Sequence, residues 1–300
     1  MSGDNSYSEM RLKRVQKSNR NWTTKFGKAA QFFVTSSQLM AVNSVFLVYF
    51  VTRLYGIEVQ PILLLQIFFG NIAVYSLNKI TDKKEDRINK PNQTSTFQKY
   101  FITATIICYG IILIIGIIDG INYFLVLVTP LLIGYIYSVK IFKKLPRLKE
   151  ILGVKSIAVA SSLAFTFTVL PSLTDIVTLE KVVLVFVYIF IQLFVNVLIF
   201  DIIDMRGDEV ANIKTIPLYF GKKGTTYFLY IVNSLLLIWL SICYAYGIFI
   251  RYLPIAAFGM IYSYVLIWYF TKNSSKRLLA EVIVDSEGII IAIMLLLIVR

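Results

Sequence analysis

The sequence predicts an all-α, polytopic membrane protein of nine spans, and three observations carry that prediction. Hydrophobic residues make up 57% of the chain and charged residues only 16%, with a mean hydropathy of +0.73, well outside the range of soluble globular proteins. Apolar runs long enough to cross about 30 Å of hydrocarbon at about 1.5 Å per residue recur along the whole length. Lysine and arginine gather in alternate connections between those runs, as membrane topology requires.

In chain order, residues 1–28 are polar and basic. They are too long and too mixed for the charged part of a signal peptide, and no small-residue cleavage site follows, so they read as a retained cytosolic tail. The rest, 29–300, reads as a single transmembrane domain. Its expected spans are 29–52, 61–80, 99–118, 121–141, 151–171, 181–203, 225–246, 252–271 and 278–299. The ninth is the weakest by composition. Its uninterrupted apolar part, 288–299, is too short alone and must take in Glu281 and Asp285. Those two acids share a helix face, where they either extend an internal cavity or pair with Lys276 or Arg277.

The tail and the connections 79–99, 140–155, 206–223 and 272–277 hold 26 of the 30 Lys and Arg; the remainder are Arg53, Lys181, Arg251 and Arg300. The positive-inside rule therefore places the N-terminus in the cytosol and the C-terminus outside, which needs an odd number of spans and supports counting the ninth. The same distribution argues against nucleic acid as a partner, despite a net charge of +13, because the basic residues lie in short loops between apolar runs and form no continuous solvated face. With no histidine in the chain, histidine ligation and histidine acid–base chemistry are excluded. Cys108 and Cys243 fall in different apolar runs without a CxxC pattern, which argues against a disulfide or a thiolate metal site.

Chemistry concentrates where two apolar runs end. NKITDKKEDRINKP, residues 78–91, places Asp82 and Asp86 four residues apart, with Glu85 between them; DIIDMRGDEVANIKTIP, residues 201–217, repeats the spacing with Asp204 and Asp208. On a helix, i and i+4 lie on one face with Cβ atoms about 5–6 Å apart. Carboxylates that close repel, so a bound cation is the natural reason for two such pairs in an apolar chain. Oxygen-only ligands select a hard ion, Mg²⁺ or Mn²⁺. Both clusters are expected at cytosolic helix ends, both have a polar residue just inside the apolar run (Asn78, Asp201), and both run on into Lys and Pro. Asp201 lies between VLIF and II, a costly position unless it faces a cavity or a partner.

A Mg²⁺ site flanked by lysines is chemically a diphosphate site, since the metal bridges phosphate oxygens while Lys and Arg neutralise the remaining charge. A prenyl diphosphate suits an intramembrane site, because its allylic cation needs dry, apolar, aromatic surroundings. Without histidine, deprotonation falls to a carboxylate, a tyrosine, diphosphate or water, and Asp201, the deepest of the motif residues, is the first protein group to consider.

These residues resemble the UbiA superfamily of intramembrane prenyltransferases over nearly the whole chain. The resemblance rests on NxxxDxxxD at Asn78, Asp82 and Asp86 with NKP after it, on DxxDxxxD at Asp201, Asp204 and Asp208 with NIKTIP after it, and on YSVK at Tyr137–Lys140. It implies nine transmembrane helices around a central cavity, Mg²⁺ as cofactor, and transfer of a prenyl chain from a prenyl diphosphate to a lipophilic or amphipathic acceptor. It further implies that Asn78, Asp82, Asp86, Asp201, Asp204 and Asp208 form the metal–diphosphate site, with metal on Asp82, Asp86, Asp204 and Asp208 and diphosphate on Asn78 and Lys214, and that Tyr137 and Lys140 lie near the leaving group. Two departures stand out. Asn92 occupies a position that is arginine in many relatives, in a loop reading NQTSTFQKY, and the first span lacks the Arg-Pro entry of relatives that prenylate aromatic acids. A terpene cyclase of the same fold is the first alternative. A cation transporter fits less well, since such sites lie near the bilayer midplane on broken helices.

Overall fold

A computed structural model describes residues 33–34, 37–81, 98–138, 150–274 and 276–298. Among these the chain is all-helical, with no strand. The main helices are α1 (Gln38–Tyr55), α2 (Pro61–Thr81), α3 (Gln98–Asp119), α4 (Ile121–Ser138), α5 (Val154–Ser172), α6 (Leu179–Val210), α7 (Ile216–Ala245), α8 (Leu253–Lys272), α9 (Arg277–Ile283) and α10 (Glu287–Ile298). Six helical stretches are long and apolar enough to cross a membrane: α1, Pro61–Lys79 within α2, α5, α6, α7, and Ile250–Lys272, which takes in α8. Two shorter apolar stretches, Thr103–Asp119 and Ile121–Ile136, lie within α3 and α4.

Local sequence sets the boundaries. Pro61 opens α2, and prolines also sit in the first turns of α7 and α8, where the missing N–H has no helical partner to lose. Gly56 closes α1 in the left-handed region, φ 74°, a conformation a Cβ disfavours. Within the apolar helices, hydroxyls bond back to their own backbone: Ser44 donates to the Met40 carbonyl, Thr168 to Ala164 and Thr271 to Ile267. These three hydroxyls therefore bring no unpaired donor into the apolar interior.

From α1 to α8 each helix packs on its successor, and α10 returns to pack on α1, so the helices close into a ring. Their directions alternate. Gln66 near the start of α2 donates to Asp119 at the end of α3, and Tyr123 at the start of α4 donates to the Leu173 carbonyl just after α5. Those ends therefore share one side of the ring. The far end of α2, beyond which the first aspartate motif continues in sequence, and the far end of α6, which carries the second, share the other.

Three boundaries differ from the sequence expectation in an informative way. Helix α6 has 32 residues, about 48 Å at the usual rise, well beyond the hydrocarbon thickness; Asp204 and Asp208 therefore stand on helix where hydropathy alone ended the span at 203. Helix α7 starts at Ile216 but departs from helical geometry at Gly221, φ 68° and ψ 168°, so its first turn lies at an angle to the remainder. The last apolar segment is broken, with a 3₁₀ turn at Val284–Ser286 between α9 and α10.

Candidate active site

The second motif can be followed atom by atom. Asp201, Asp204 and Asp208 stand at i, i+3 and i+7 on α6, one face of the helix. Asp201 and Asp208 are almost completely buried, 3% and 1% exposed. The first turn of α5 meets them. The Lys155 ammonium donates to Asp208 Oδ1 and Oδ2, both at 3.0 Å, and stands 3.2 Å from Asp201 Oδ1. The Ser156 hydroxyl donates to Asp201 Oδ2 at 2.5 Å. Charge-assisted bonds of this kind are about twice as strong as neutral ones.

Backbone geometry brings the two strips together. Gly153, at φ 74°, caps α5 and donates its N–H to the Lys214 carbonyl, so the start of α5 is tied to the loop after α6. That loop folds back on the helix it leaves, since the Ile213 N–H donates to the Asp208 carbonyl at 2.9 Å and Asn212 takes the left-handed region at φ 57°. Beneath the carboxylates an apolar cluster that includes Leu198, Ile202, Ile216, Phe270 and Ala280 fixes α6 against α7, α8 and α9.

Asp204, further out than its two neighbours, receives a hydrogen bond from Arg277 at the start of α9. The same guanidinium donates through Nε to Glu281 at 2.9 Å, an i, i+4 pair. Of the two readings open for Glu281, pairing is the one realised; Asp285 is buried in the 3₁₀ turn. Lys276 donates instead to the Tyr269 hydroxyl at 2.9 Å.

The other expected site residues are less fully placed. Asn78 is half-buried in the last turn of α2, the helix that leads into the first motif. Tyr137 lies in the last turn of α4. Asp82, Asp86, Lys140 and the side chain of Tyr137 lie outside the described residues. The Lys214 side chain is exposed, and its carbonyl accepts the Gly153 N–H noted above. Two residues in the cluster were not singled out from sequence. Lys155 counted only toward topology, and Ser156 carried no signal except that a Lys-Ser pair opens an apolar run on the same membrane side as the aspartates.

A second polar cluster lies deeper on α6. Asn196 donates to Glu287 Oε2 at 2.5 Å, and the Ser263 hydroxyl lies 3.2 Å from Glu287 Oε1 and 2.5 Å from Gln192 Oε1. The Gln192 amide in turn donates to the Tyr188 hydroxyl at 3.2 Å. Asn43 of α1 accepts from the Gly288 N–H at 2.7 Å, capping α10 where the chain resumes after its break.

The oxygens of the outer cluster, all carboxylate or hydroxyl, are of the type that suits a hard divalent cation, and in this structure an ammonium and a guanidinium balance the carboxylate charge. No group of three or more acidic, histidine or cysteine side chains converges on a metal position among the described residues.

Comparison with known proteins gives a consistent result. Residues 28–283 match the UbiA prenyltransferase family. A curated relative, the digeranylgeranylglyceryl phosphate synthase of Methanosphaera stadtmanae, is 26% identical over 256 residues, covering 81% of this chain and 87% of its own. Among solved structures, a UbiA homologue from Aeropyrum pernix aligns with a TM-score of 0.66 at 14% identity, over 86% of this chain and 98% of its own. A UbiA homologue from Archaeoglobus fulgidus, bound to DMAPP and Mg²⁺, aligns with a TM-score of 0.58 at 15% identity over the same shares.

Proposed function

The chain belongs to the UbiA prenyltransferase family, and from that premise we propose that it transfers a prenyl chain from an allylic prenyl diphosphate to a lipophilic acceptor, with Mg²⁺ as cofactor. The observation that carries the reading is the cluster at the end of α6, where three aspartates of one motif meet Lys155 and Arg277 on the side of the ring to which α2 delivers the other motif. The Mg²⁺ and prenyl diphosphate bound to the Archaeoglobus fulgidus homologue support it. The glyceryl phosphate product named for the Methanosphaera relative makes a phosphate-bearing glycerol lipid the first acceptor to test.

In this reading Asp204 and Asp208 hold the metal from α6, and Asp82 and Asp86 hold it from the segment after α2. Bound there, Mg²⁺ would neutralise charge on the departing diphosphate. Asn78 and Lys214 contact diphosphate oxygens, and Tyr137 and Lys140 stand beside the leaving group. Asp201, oriented by Ser156 and Lys155, accepts the proton released when the acceptor is alkylated. The domain is 29–300, with nine spans: α9, the 3₁₀ turn and α10 act together as the ninth. The tail at 1–28 and the site face the cytosol.

The test is product analysis by mass spectrometry. Purified protein is incubated with a series of prenyl diphosphates and Mg²⁺, with and without acceptor lipids. Acceptor-dependent diphosphate release and an alkylated lipid are expected, and EDTA should abolish both. Rapid release without acceptor, yielding a cyclic hydrocarbon or alcohol, would replace transfer with cyclisation. Undiminished turnover in EDTA would end the metal-dependent reading. For topology, tags at residues 1 and 300 should report opposite membrane sides, with residue 1 cytosolic; both tags on one side would remove a span.

A further inference from the structure

We propose that Lys155 makes divalent-cation binding conditional on a bound diphosphate, a positioning role that rests on the metal and diphosphate reading above. Its ammonium lies within 3.2 Å of three carboxylate oxygens: both of Asp208 and Oδ1 of Asp201. The fourth oxygen of that pair, Asp201 Oδ2, takes the Ser156 hydroxyl. Every carboxylate oxygen of Asp201 and Asp208 therefore has a donor from two consecutive residues of α5.

A divalent ion arriving alone must displace an ammonium from Asp208 or settle beside it against like-charge repulsion. A diphosphate changes that balance. It brings oxygens that can accept from the ammonium and others that can join the metal, so the lysine exchanges carboxylate for phosphate as the metal takes the carboxylate.

Lys155 is suited to such an exchange and Arg277 is not. Lysine carries a compact charge on a flexible four-carbon stem, so the Lys155 ammonium can pass from a carboxylate oxygen to a phosphate oxygen while its stem stays in place. Arg277 also makes two ion pairs, but its planar fork holds Asp204 and Glu281 through different nitrogens of one rigid group, so it cannot release one oxygen at a time by turning its stem. Lysine on the buried aspartates and arginine on the outer one thus divide a movable cation from a fixed one.

The experiment measures Mn²⁺ binding by electron paramagnetic resonance on the full chain in lipid nanodiscs, without substrate and with an unreactive prenyl thiolodiphosphate. Without substrate, Lys155→Met should bind Mn²⁺ about tenfold more tightly than wild type, a coupling of ordinary size, while Lys155→Arg should bind as weakly as wild type. The analogue should tighten Mn²⁺ binding in wild type and much less in Lys155→Met. If Lys155→Met fails to insert, Lys155→Gln, which keeps hydrogen-bond donors without charge, carries the same expectation, and the effect of the analogue on wild type needs no variant. Equal Mn²⁺ affinity in wild type and the neutral variants, or no tightening by the analogue in wild type, overturns the proposal. Absence of Mn²⁺ binding in every protein, together with turnover that survives EDTA, overturns the metal-dependent reading itself.

Discussion

Two buried polar clusters share α6, with Asn196 only five residues, about 7.5 Å of helix rise, from Asp201, yet their partners differ in kind. At the outer end Asp201, Asp204 and Asp208 meet a lysine and an arginine. Further in, the polar neighbours of Glu287 among the described residues are the neutral Asn196 and Ser263. Depth accounts for the difference. Near the membrane edge a long basic side chain can reach a carboxylate while its stem stays on apolar surface; deeper in, a second charge must be desolvated as well, so amides and hydroxyls take over. The outer cluster can exchange one cation for another. The inner one joins α6, α8 and α10 through neutral donors around Glu287, leaving only the Asn196 amide oxygen without a partner among those side chains, and its expected role is packing.

The comparison is broken most directly by exchanging acids. Asp204→Asn should lower turnover about a thousandfold if Asp204 holds the metal as proposed, since loss of charge there is worth several kcal/mol in the transition state and each factor of ten is about 1.4 kcal/mol. Diphosphate release assays on correctly inserted protein would measure this, and near wild-type turnover would remove α6 from the chemistry.

Next in size, Gly288→Ala should disturb the inner cluster without touching the outer one. A Cβ at Gly288 would lie 2.6 Å from the Asn43 main-chain oxygen, so α1 and α10 must separate, at about 1–3 kcal/mol. A lower thermal midpoint in detergent is expected, with turnover per folded molecule retained. An unchanged midpoint would contradict the close approach.

Ser156→Ala sharpens the outer cluster. It removes one donor from a buried carboxylate, an interaction worth about 1.5–3 kcal/mol, and should slow turnover roughly tenfold. Stopped or unaffected turnover would each revise the role given to Asp201. The smallest effect is expected of Glu287→Gln, which keeps the size and one acceptor oxygen; its turnover should stay within about threefold of wild type. A loss rivalling that of Asp204→Asn would move the chemistry inward.

Much of this molecule is legible in its sequence because hydropathy is a local property. The starts of α2, α4 and α8 follow from proline, glycine and the ends of apolar runs, and the i, i+4 aspartates announce their shared face without any knowledge of their neighbours. Composition also predicts an integral multi-pass protein, and membership of the UbiA family agrees with it. The break in the last apolar segment was legible only in part: Glu281 and Asp285 weakened the apolar run, but the cap from Asn43, 245 residues away, has no sequence signal.

What the tertiary structure alone decided is which cation meets which carboxylate. Lys155 and Lys214 are both basic residues at the same membrane edge, and charge counting treats them alike. Ring closure and the Gly153 turn put the ammonium of the first on two buried aspartates and leave the side chain of the second exposed. Periodicity fixes the face a residue occupies on its own helix, whereas an ion pair between α5 and α6 depends on the rotation and height of two helices about each other. Those are set by the packing of many apolar side chains at once.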